Sequence, residues 1–264
     1  MDRRSFLAVA STTVGTVSAG CLDDDTDIGT ERVAVGSAES SGVTVDNGSI
    51  VEADGGTLRV TATQLRRSII APRQNNRVYE PEDGQFLRVS ISANRIQSDD
   101  IGSNLVLETN GETAVSGTEI PTAIAITENS EEVGLGMPIG TAESASVRFT
   151  RGISPSWRVP EELVSSFDVA PEFHLTSADI GEQNGKTNLE LAVENRGSRD
   201  GIFRCTTASR GEGRPEPVRF TVGAGETLTV SISNETISEW SPDNSFIHEV
   251  DANTRAFIAD SDKS

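Results

Sequence analysis

Apolar and polar side chains alternate in two stretches of the chain, residues 57–63 and 85–94. The residues that share one face are Leu58, Val60 and Ala62 in the first stretch and Leu87, Val89, Ile91 and Ala93 in the second. Charged and hydroxyl-bearing side chains occupy most of the positions between them. A period of two predicts half-buried antiparallel strands in both stretches.

Further short strands are predicted on both sides of a proline-containing segment, residues 153–171. They are 104–109, 120–127, 132–137 and 145–150 before it, and 173–175, 189–193, 202–207, 218–222, 227–233 and 255–259 after it. Turn residues such as Asn110-Gly111 separate them. A short helix is predicted where Pro160 precedes two glutamates. No long stretch has a period of 3.6, so we expect an all-β protein with two antiparallel immunoglobulin-like β-sandwich domains in tandem.

Composition divides the chain into four predicted parts. Residues 1–20 form a leader, residues 21–46 a flexible tether, residues 47–168 a first sandwich and residues 169–264 a second. The tether is rich in Asp, Ser, Thr, Gly and Glu and has few large apolar side chains. Such a segment does not bury a core and is predicted to be disordered, with one short strand at residues 32–35.

The leader has the pattern of an export signal, because paired arginines precede an apolar region too short to cross a bilayer of about 30 Å. Arg3-Arg4-Ser5-Phe6-Leu7 resembles the twin-arginine translocation motif, and Ala19-Gly20-Cys21 resembles the lipobox of lipoproteins. These resemblances imply export through Arg3, Arg4, Phe6 and Leu7, cleavage before Cys21 and a lipid on its thiol. Two acyl chains hold a protein stably on a membrane. We therefore expect a lipid-anchored protein on the extracytoplasmic face of the cell membrane.

Acidic residues outnumber basic ones by 41 to 22, which gives a net charge of -19. This charge disfavours nucleic-acid binding, because phosphates would be repelled. A composition that is acidic and poor in lysine and cysteine resembles proteins of halophilic archaea, in which molar salt screens self-repulsion. The alternative is an acidic surface that binds a cation or a basic partner.

The second half of the chain resembles CARDB-like domains, which are immunoglobulin-type sandwiches of prokaryotic cell surfaces. The resemblance is carried by Val193-Glu194-Asn195-Arg196-Gly197, by Asp200-Gly201-Ile202-Phe203 and by residues 222–227. The first half resembles, over residues 83–91, the immunoglobulin-like domains of prokaryotic lipoproteins. These short motifs imply turns and strand ends rather than an activity. With its leader, the whole chain is similar to haloarchaeal lipoproteins exported by the twin-arginine route.

No catalytic constellation is predicted. His174 and His248 are the two histidines, and neither lies in a G-x-S-x-G or H-E-x-x-H motif. Cys205 shares a predicted strand face with Phe203, which indicates a buried thiol. The acidic loops lack the spacing of an EF-hand calcium loop, so we expect no metal and no cofactor.

One basic stretch, residues 65–78, interrupts the acidic chain. It contains Arg66, Arg67, Arg73 and Arg77. The four arginines either contact an anionic lipid, glycan or acidic neighbour, or belong to a solvated hairpin loop. Elsewhere, Asn47 and Asn234 each begin an N-glycosylation sequon and are candidate modification positions.

These observations favour a binding or structural role at the cell surface, with a protein or glycan partner and without nucleic acid. Two alternatives stay open. An accessory solute-binding lipoprotein of a transport system would have an apolar pocket between the domains, around Trp157. A hydrolase with an unrecognised site would place His174 or His248 in a cleft beside a serine and a carboxylate.

Overall fold

In the computed structural model, strands are the main secondary structure of the residues that it describes. It describes residues 32–33, 42–53, 55–74, 76–81, 83–96, 101–114, 122–152, 154–183, 186–209, 212–233, 246–249 and 256–259. The strands are β1 (Arg32–Val33), β2 (Thr44–Val45), β3 (Ile50–Ala53), β4 (Gly56–Arg66), β5 (Ile69–Ala71), β6 (Arg77–Tyr79), β7 (Gly84–Asn94), β8 (Leu105–Thr109), β9 (Glu112–Thr113), β10 (Ala123–Ala125), β11 (Glu132–Pro138), β12 (Ala145–Phe149), β13 (Ser156–Arg158), β14 (Phe173–Gln183), β15 (Lys186–Asn195), β16 (Gly201–Ser209), β17 (Glu212–Val222), β18 (Thr227–Ser233), β19 (Phe246–Glu249) and β20 (Ala256–Ala259). The short helix α1 spans Glu161–Val164, and 3₁₀ turns cover Pro72–Gln74 and Gly102–Asn104. The all-β prediction is confirmed.

Two sheets, which we call the N-terminal sheet pair, enclose the larger core. The six-stranded sheet has the order β1-β3-β4-β7-β11-β10, and the five-stranded sheet has the order β2-β13-β12-β8-β9. Leu58, Val60 and Ala62 are buried in this core, which confirms the alternation predicted for β4. Neighbouring strands in the two sheets are antiparallel, with two exceptions: β1 runs parallel to β3, and β2 runs parallel to β13.

The proline-containing segment completes the N-terminal core. Trp157 on β13 is 1% exposed, and Val164 and Phe167 are buried beside it. Val45 on β2 packs in the same core, so the described fold begins ahead of residue 47. Among the helices of the described ranges, none is long and apolar enough to cross a membrane.

Two further sheets, the C-terminal sheet pair, enclose a smaller core. Their strand orders are β14-β15-β18 and β17-β16-β19-β20. Leu191 and Val193 of β15 pack with Phe203 and Cys205 of β16, so the predicted burial of the Cys205 thiol is confirmed. The Phe173 ring meets the Phe203 ring edge-on, with centroids 5.8 Å apart. Both sheet pairs lie within one compact unit, Glu31–Ser264.

The face predicted for residues 227–233 is only partly buried. Ile232 packs against the C-terminal core, but Leu228 is 37% exposed. The reason is position, because β18 lies at the edge of its sheet. Alternation along a strand indicates which side chains share a face, but not how completely the opposing sheet covers it.

The basic stretch folds as a packed hairpin. β5 pairs with β6, and Ile69, Ala71 and Tyr79 join Phe86 in a small separate core. Phe86 points away from the N-terminal core, so the hairpin covers the outer face of the six-stranded sheet. Residues 65–78 therefore form a hairpin with Arg73 and Arg77 exposed, but it is not solvated throughout, because apolar side chains bury one of its faces.

Candidate functional site: an arginine cleft between the sheet pairs

A β-bulge in β4 decides which side chains point outward. The register between β4 and β7 shifts between Ala62 and Gln64, which makes Thr63 the extra residue. Without this residue, Arg66 would continue the core-facing series of even-numbered positions. With it, Leu65 packs against the N-terminal core and Arg66 points to the outer face of the sheet. Bulges commonly re-aim a side chain in this way.

The C-terminal sheet pair presents a second arginine to the same region. Because Phe203 and Cys205 point into their core, Arg204 points out of it. Its residue surface is nevertheless only 6% exposed, and β16 lies beside β5 and β6 of the hairpin. Arg204 also lies opposite Arg219 on β17. Like charges directly opposite each other destabilise a strand pair, so this arrangement has an electrostatic cost.

A cleft of about 190 Å³ opens where the two sheet pairs meet. The charged residues that line it are Arg66, Arg67, Arg199, Arg204 and Asp200. β4 and the residue after it supply the first two, and the start of β16 with the loop before it supplies the others. Four arginines against one carboxylate make this cleft positive in a chain whose net charge is -19.

Three of the four lining arginines form no ion pair with a carboxylate in the part of the chain that the structure describes. Arg67 pairs with Glu80, with 3.1 Å between Nε and Oε1. Arg66, Arg199 and Arg204 have no carboxylate partner among the residues that the structure describes. Arg204 donates from Nη1 to its neighbour's carbonyl, Ile202 O, at 3.0 Å. With its amide oxygen facing Arg66, Gln64 accepts from Nε and Nη2 at 2.6 Å each.

Burial and mutual repulsion both act on these guanidinium groups. Burial lowers the pKa of Arg204 to about 10, with a further lowering by the charges of Arg219 and Arg88. Burial also lowers the pKa of Arg66 to about 10, and the charge of Arg204 adds to the effect. Both groups remain protonated at neutral pH, so the fold holds positive charge here at an energetic cost.

Arg199 connects the two sheet pairs. From the loop before β16, its Nη2 donates to Gln85 Oε1 of β7 at 3.1 Å and its Nη1 to Ser166 O at 3.4 Å. Gln85 is buried and donates in turn to Phe167 O at 2.7 Å. Burial lowers the pKa of Arg199 as well. This chain of hydrogen bonds holds one wall of the cleft against the other.

Asn195, in the motif Val193–Gly197, positions the Arg199 loop. The buried Asn195 donates from Nδ2 to Arg199 O at 2.9 Å and to Val222 O at 3.2 Å. Its Oδ1 accepts from the backbone N–H of Gly197 at 3.1 Å. A Cβ on Gly197 would lie 2.5 Å from Ala170 O, so no side chain fits there. The turn residues singled out by sequence thus hold an arginine at the cleft.

The structure divides the four arginines of the basic stretch. Arg66 and Arg67 line the cleft, whereas Arg73 and Arg77 do not. Arg73 donates from Nε to Glu128 O at 2.7 Å. The Arg77 guanidinium lies over the Tyr79 ring, 4.9 Å from its centroid. Proximity in sequence did not place these four side chains together, because the hairpin turns two of them away.

Sequence reasoning missed Arg199, Arg204 and Asp200 as site residues. Arg204 occupies the outward position of an alternating strand, where a charged side chain normally meets water. No pattern in the sequence indicates that another sheet covers this position. The loop motif around Asn195 was the one available signal, and it pointed to a turn.

The other candidate residues lie elsewhere. The Asn47 amide pairs with the backbone of Ala62, which donates to Oδ1 at 2.8 Å and accepts from Nδ2 at 3.1 Å. The nitrogen that a glycan would modify therefore has a structural hydrogen bond. Arg3, Arg4, Phe6, Leu7, Cys21 and Asn234 lie outside the described residues.

Trp157 and His174 do not line the arginine cleft. The Trp157 indole is buried in the N-terminal core, where Nε1 donates to Ser49 O at 2.8 Å, and Trp157 is not among the residues that line the arginine cleft. His174 lies 3.0 Å from Glu172, between Nε2 and Oε1, and does not line the cleft. His248 is on β19, and its side chain lies outside the described part.

Other reactive or metal-binding groups are sparse in the described ranges. There, no group of three or more His, Cys, Asp or Glu residues is placed to hold a metal ion. Burial raises the pKa of the Cys205 thiol to about 12. A thiol that stays protonated at neutral pH is a poor nucleophile. Comparison with models of known protein families finds no match, and a search of curated proteins finds none.

Proposed function

We propose that the chain is an exported, lipid-anchored surface protein that binds an anionic ligand in the arginine cleft. The anchor is supported by the resemblance of Ala19-Gly20-Cys21 to a lipobox and of Arg3-Arg4 with its context to an export motif. The two enclosed cores support a pair of immunoglobulin-like sandwich domains in tandem. The acidic composition supports a halophilic source. Binding rather than catalysis is the proposed role.

One observation carries the ligand-binding part of the proposal. Arg204 is 6% exposed, lines the cleft and has no ion pair with a described carboxylate. A buried cation without a counter-charge is expensive, and proteins rarely keep one that has no role. An anion in the cleft would supply the counter-charge and use the N–H groups that Arg204 does not spend on Ile202 O.

Thermal unfolding of the full chain tests whether the cleft binds anions. Ligand at about 100 times its Kd adds about 2.7 kcal/mol to the free energy of unfolding. This corresponds to a Tm rise of about 5–11 °C for a protein of this size. We expect sulfate, phosphate or malonate, added to molar KCl at constant ionic strength, to raise Tm in this way.

Matched variants separate binding from general salt effects, since sulfate stabilises many proteins by exclusion from their surface. Arg204→Met should lose the saturable part of the Tm rise. Arg196→Met should keep it, because Arg196 is exposed and pairs with Glu194 away from the cleft. Equal Tm rises in both variants and the parent would show that the cleft binds none of these anions.

The anchor has its own test. Mass spectrometry of the native N-terminus should find a lipid-modified Cys21 as the first residue. Cys21→Ser should release the protein from membranes into the medium. An intact Met1, or an unmodified Cys21 on a membrane-bound protein, would contradict the proposed anchor without affecting the cleft.

A solute-binding role in transport is a second candidate. It is favoured by the position of the cleft between two sheet pairs, because ligand sites often lie at such junctions. Loss of uptake of the bound anion in cells that lack the protein would support this role. Unchanged uptake would leave binding to a fixed surface partner as the function.

A further inference from the structure

We propose that the ligand of the arginine cleft is a sulfate or phosphate group, which is a compact tetrahedral oxyanion with two negative charges. This identification rests on the anion-binding function proposed above and names the chemical class of the ligand. It follows from the charge, the size and the directions of the donors in the cleft.

The net charge of the lining residues matches a dianion. Arg66, Arg199 and Arg204 contribute three positive charges that no described carboxylate pairs with, and Asp200 contributes one negative charge. The Asp200 carboxylate is occupied, since Oδ1 accepts from Ala224 N at 2.8 Å. Two positive charges remain. A monoanion such as chloride or acetate would leave one of them uncompensated.

The charged groups next to the cleft leave it positive. Arg67 pairs with Glu80. Arg88 binds Glu132 through both carboxylate oxygens, with Nε 3.1 Å from Oε2. Each pair has no net charge, although the Glu80 carboxylate partly offsets the charge of Arg204 and the Glu132 carboxylate that of Arg66. Arg219, opposite Arg204, adds a further positive charge at the margin. The surroundings therefore strengthen the attraction for a doubly charged ion.

The size of the cleft favours one compact group. The volume of the cleft is about 190 Å³. This space accommodates a single sulfate or phosphate group with a few waters. An extended polyanion would have to remain largely outside, with one charged group inserted.

The donors reach the cleft from different directions. Arg66 comes from β4 of one sheet pair, and Arg204 comes from β16 of the other. Arg199 enters from the loop before β16 and is fixed by Gln85. A planar carboxylate accepts in one plane, whereas a tetrahedral ion presents oxygens to several guanidinium groups at once. The ligand would thus bridge the two sheet pairs.

Isothermal titration calorimetry of the full chain in molar KCl at about pH 8, where phosphate is a dianion, tests the identification. We expect saturable binding of sulfate and phosphate, no binding of acetate, and malonate affinity about tenfold or more below that of sulfate. Arg204→Met and, as a second variant, Arg66→Met should weaken sulfate binding about 10- to 100-fold. Arg196→Met should bind as the parent does.

The outcomes separate the two proposals. Malonate binding as tight as sulfate binding, lost in Arg204→Met, would overturn the tetrahedral oxyanion and leave the anion-binding function standing. Binding of none of these anions to the folded parent would overturn both. Sulfate binding that survives in both cleft variants would place the ion elsewhere and also overturn the identification.

A second arm distinguishes the source of the group. Flotation with phosphatidylcholine vesicles, with and without phosphatidic acid, presents a phosphate group on a lipid. Binding that requires phosphatidic acid and is lost in Arg204→Met supports a headgroup as the ligand. Saturable binding of inorganic phosphate without vesicle binding supports the free ion.

Discussion

The charge of Arg204 should destabilise the ligand-free protein, so replacing it with methionine should raise stability. Burial first, and repulsion by Arg219 and Arg88 second, lower the pKa of its guanidinium from 12.5 to about 10. At about 1.4 kcal/mol per pKa unit, keeping Arg204 protonated in the folded protein at neutral pH lowers the free energy of unfolding by about 3 kcal/mol. Methionine matches the arginine side chain as far as Nε and removes the charge.

The expected gain is smaller than this cost. The variant loses the hydrogen bond from Nη1 to Ile202 O, 3.0 Å long, which contributes about 1 kcal/mol. The free energy of unfolding of Arg204→Met should therefore rise by about 2 kcal/mol. A change of this size raises Tm by about 4–8 °C in a protein of this length.

The dependence on pH has a definite sign. A base with a lowered folded-state pKa prefers its neutral form in the fold, so its charged form destabilises the fold at every pH below that pKa. The cost of the Arg204 charge is thus constant across neutral pH and declines only above about pH 10. The stability difference between variant and parent should be the same at about pH 6 and about pH 8.

The assay is denaturant unfolding in molar KCl without multivalent anions, followed by fluorescence. Arg196→Met is the control, and it should change stability by less than about 0.5 kcal/mol, because exposed ion pairs contribute little. A loss of more than about 1 kcal/mol in Arg204→Met would refute the reasoning. It would mean that the guanidinium is a structural component of the contact between the sheet pairs.

Three further predictions concern the fold. The midpoint of denaturation should rise between low and multimolar KCl, because about 1 M salt shortens the Debye length to about 3 Å and screens the net charge of -19; a midpoint independent of KCl would contradict a salt-adapted surface. In a Cys21→Ser background, Cys205 should react with a thiol reagent at about pH 8 only as fast as the protein unfolds, because burial raises the pKa of its thiol to about 12. Rapid labelling of the native protein would show that the structure opens locally around Cys205. Trp157→Phe should lower the free energy of unfolding by about 2–4 kcal/mol, because it removes the hydrogen bond to Ser49 O and leaves a cavity in the N-terminal core. A near-neutral effect would mean that the core repacks around the smaller ring.

The sequence predicted the positions of many strands and the side chains that face the cores. Leu58 and Val60 are 0% exposed, as are Leu189 and Leu191, in agreement with the period of two. This signal is local, because successive side chains on a strand point to opposite faces whatever the strand pairs with. The all-β class and the buried Cys205 thiol followed from it.

The sequence predicted only part of the candidate site. Charge contrast marked Arg66 and Arg67 as unusual in an acidic chain, but the same contrast marked Arg73 and Arg77, which lie elsewhere. Periodicity predicted neither the packed hairpin nor the bulge at Thr63. Both depend on register between β4 and β7, which one strand alone does not encode.

The chain's own order of residues therefore determined which side chains can share a face, where the turns fall and how much charge the surface carries. Only the tertiary structure decided that the outward face of β16 is covered, that Arg204 is buried without an ion pair to a described carboxylate, and that Arg66 meets it from a strand more than a hundred residues earlier. The physical reason is that alternation and turn propensity act between neighbours in sequence, whereas desolvation and charge repulsion depend on every group that packing brings close.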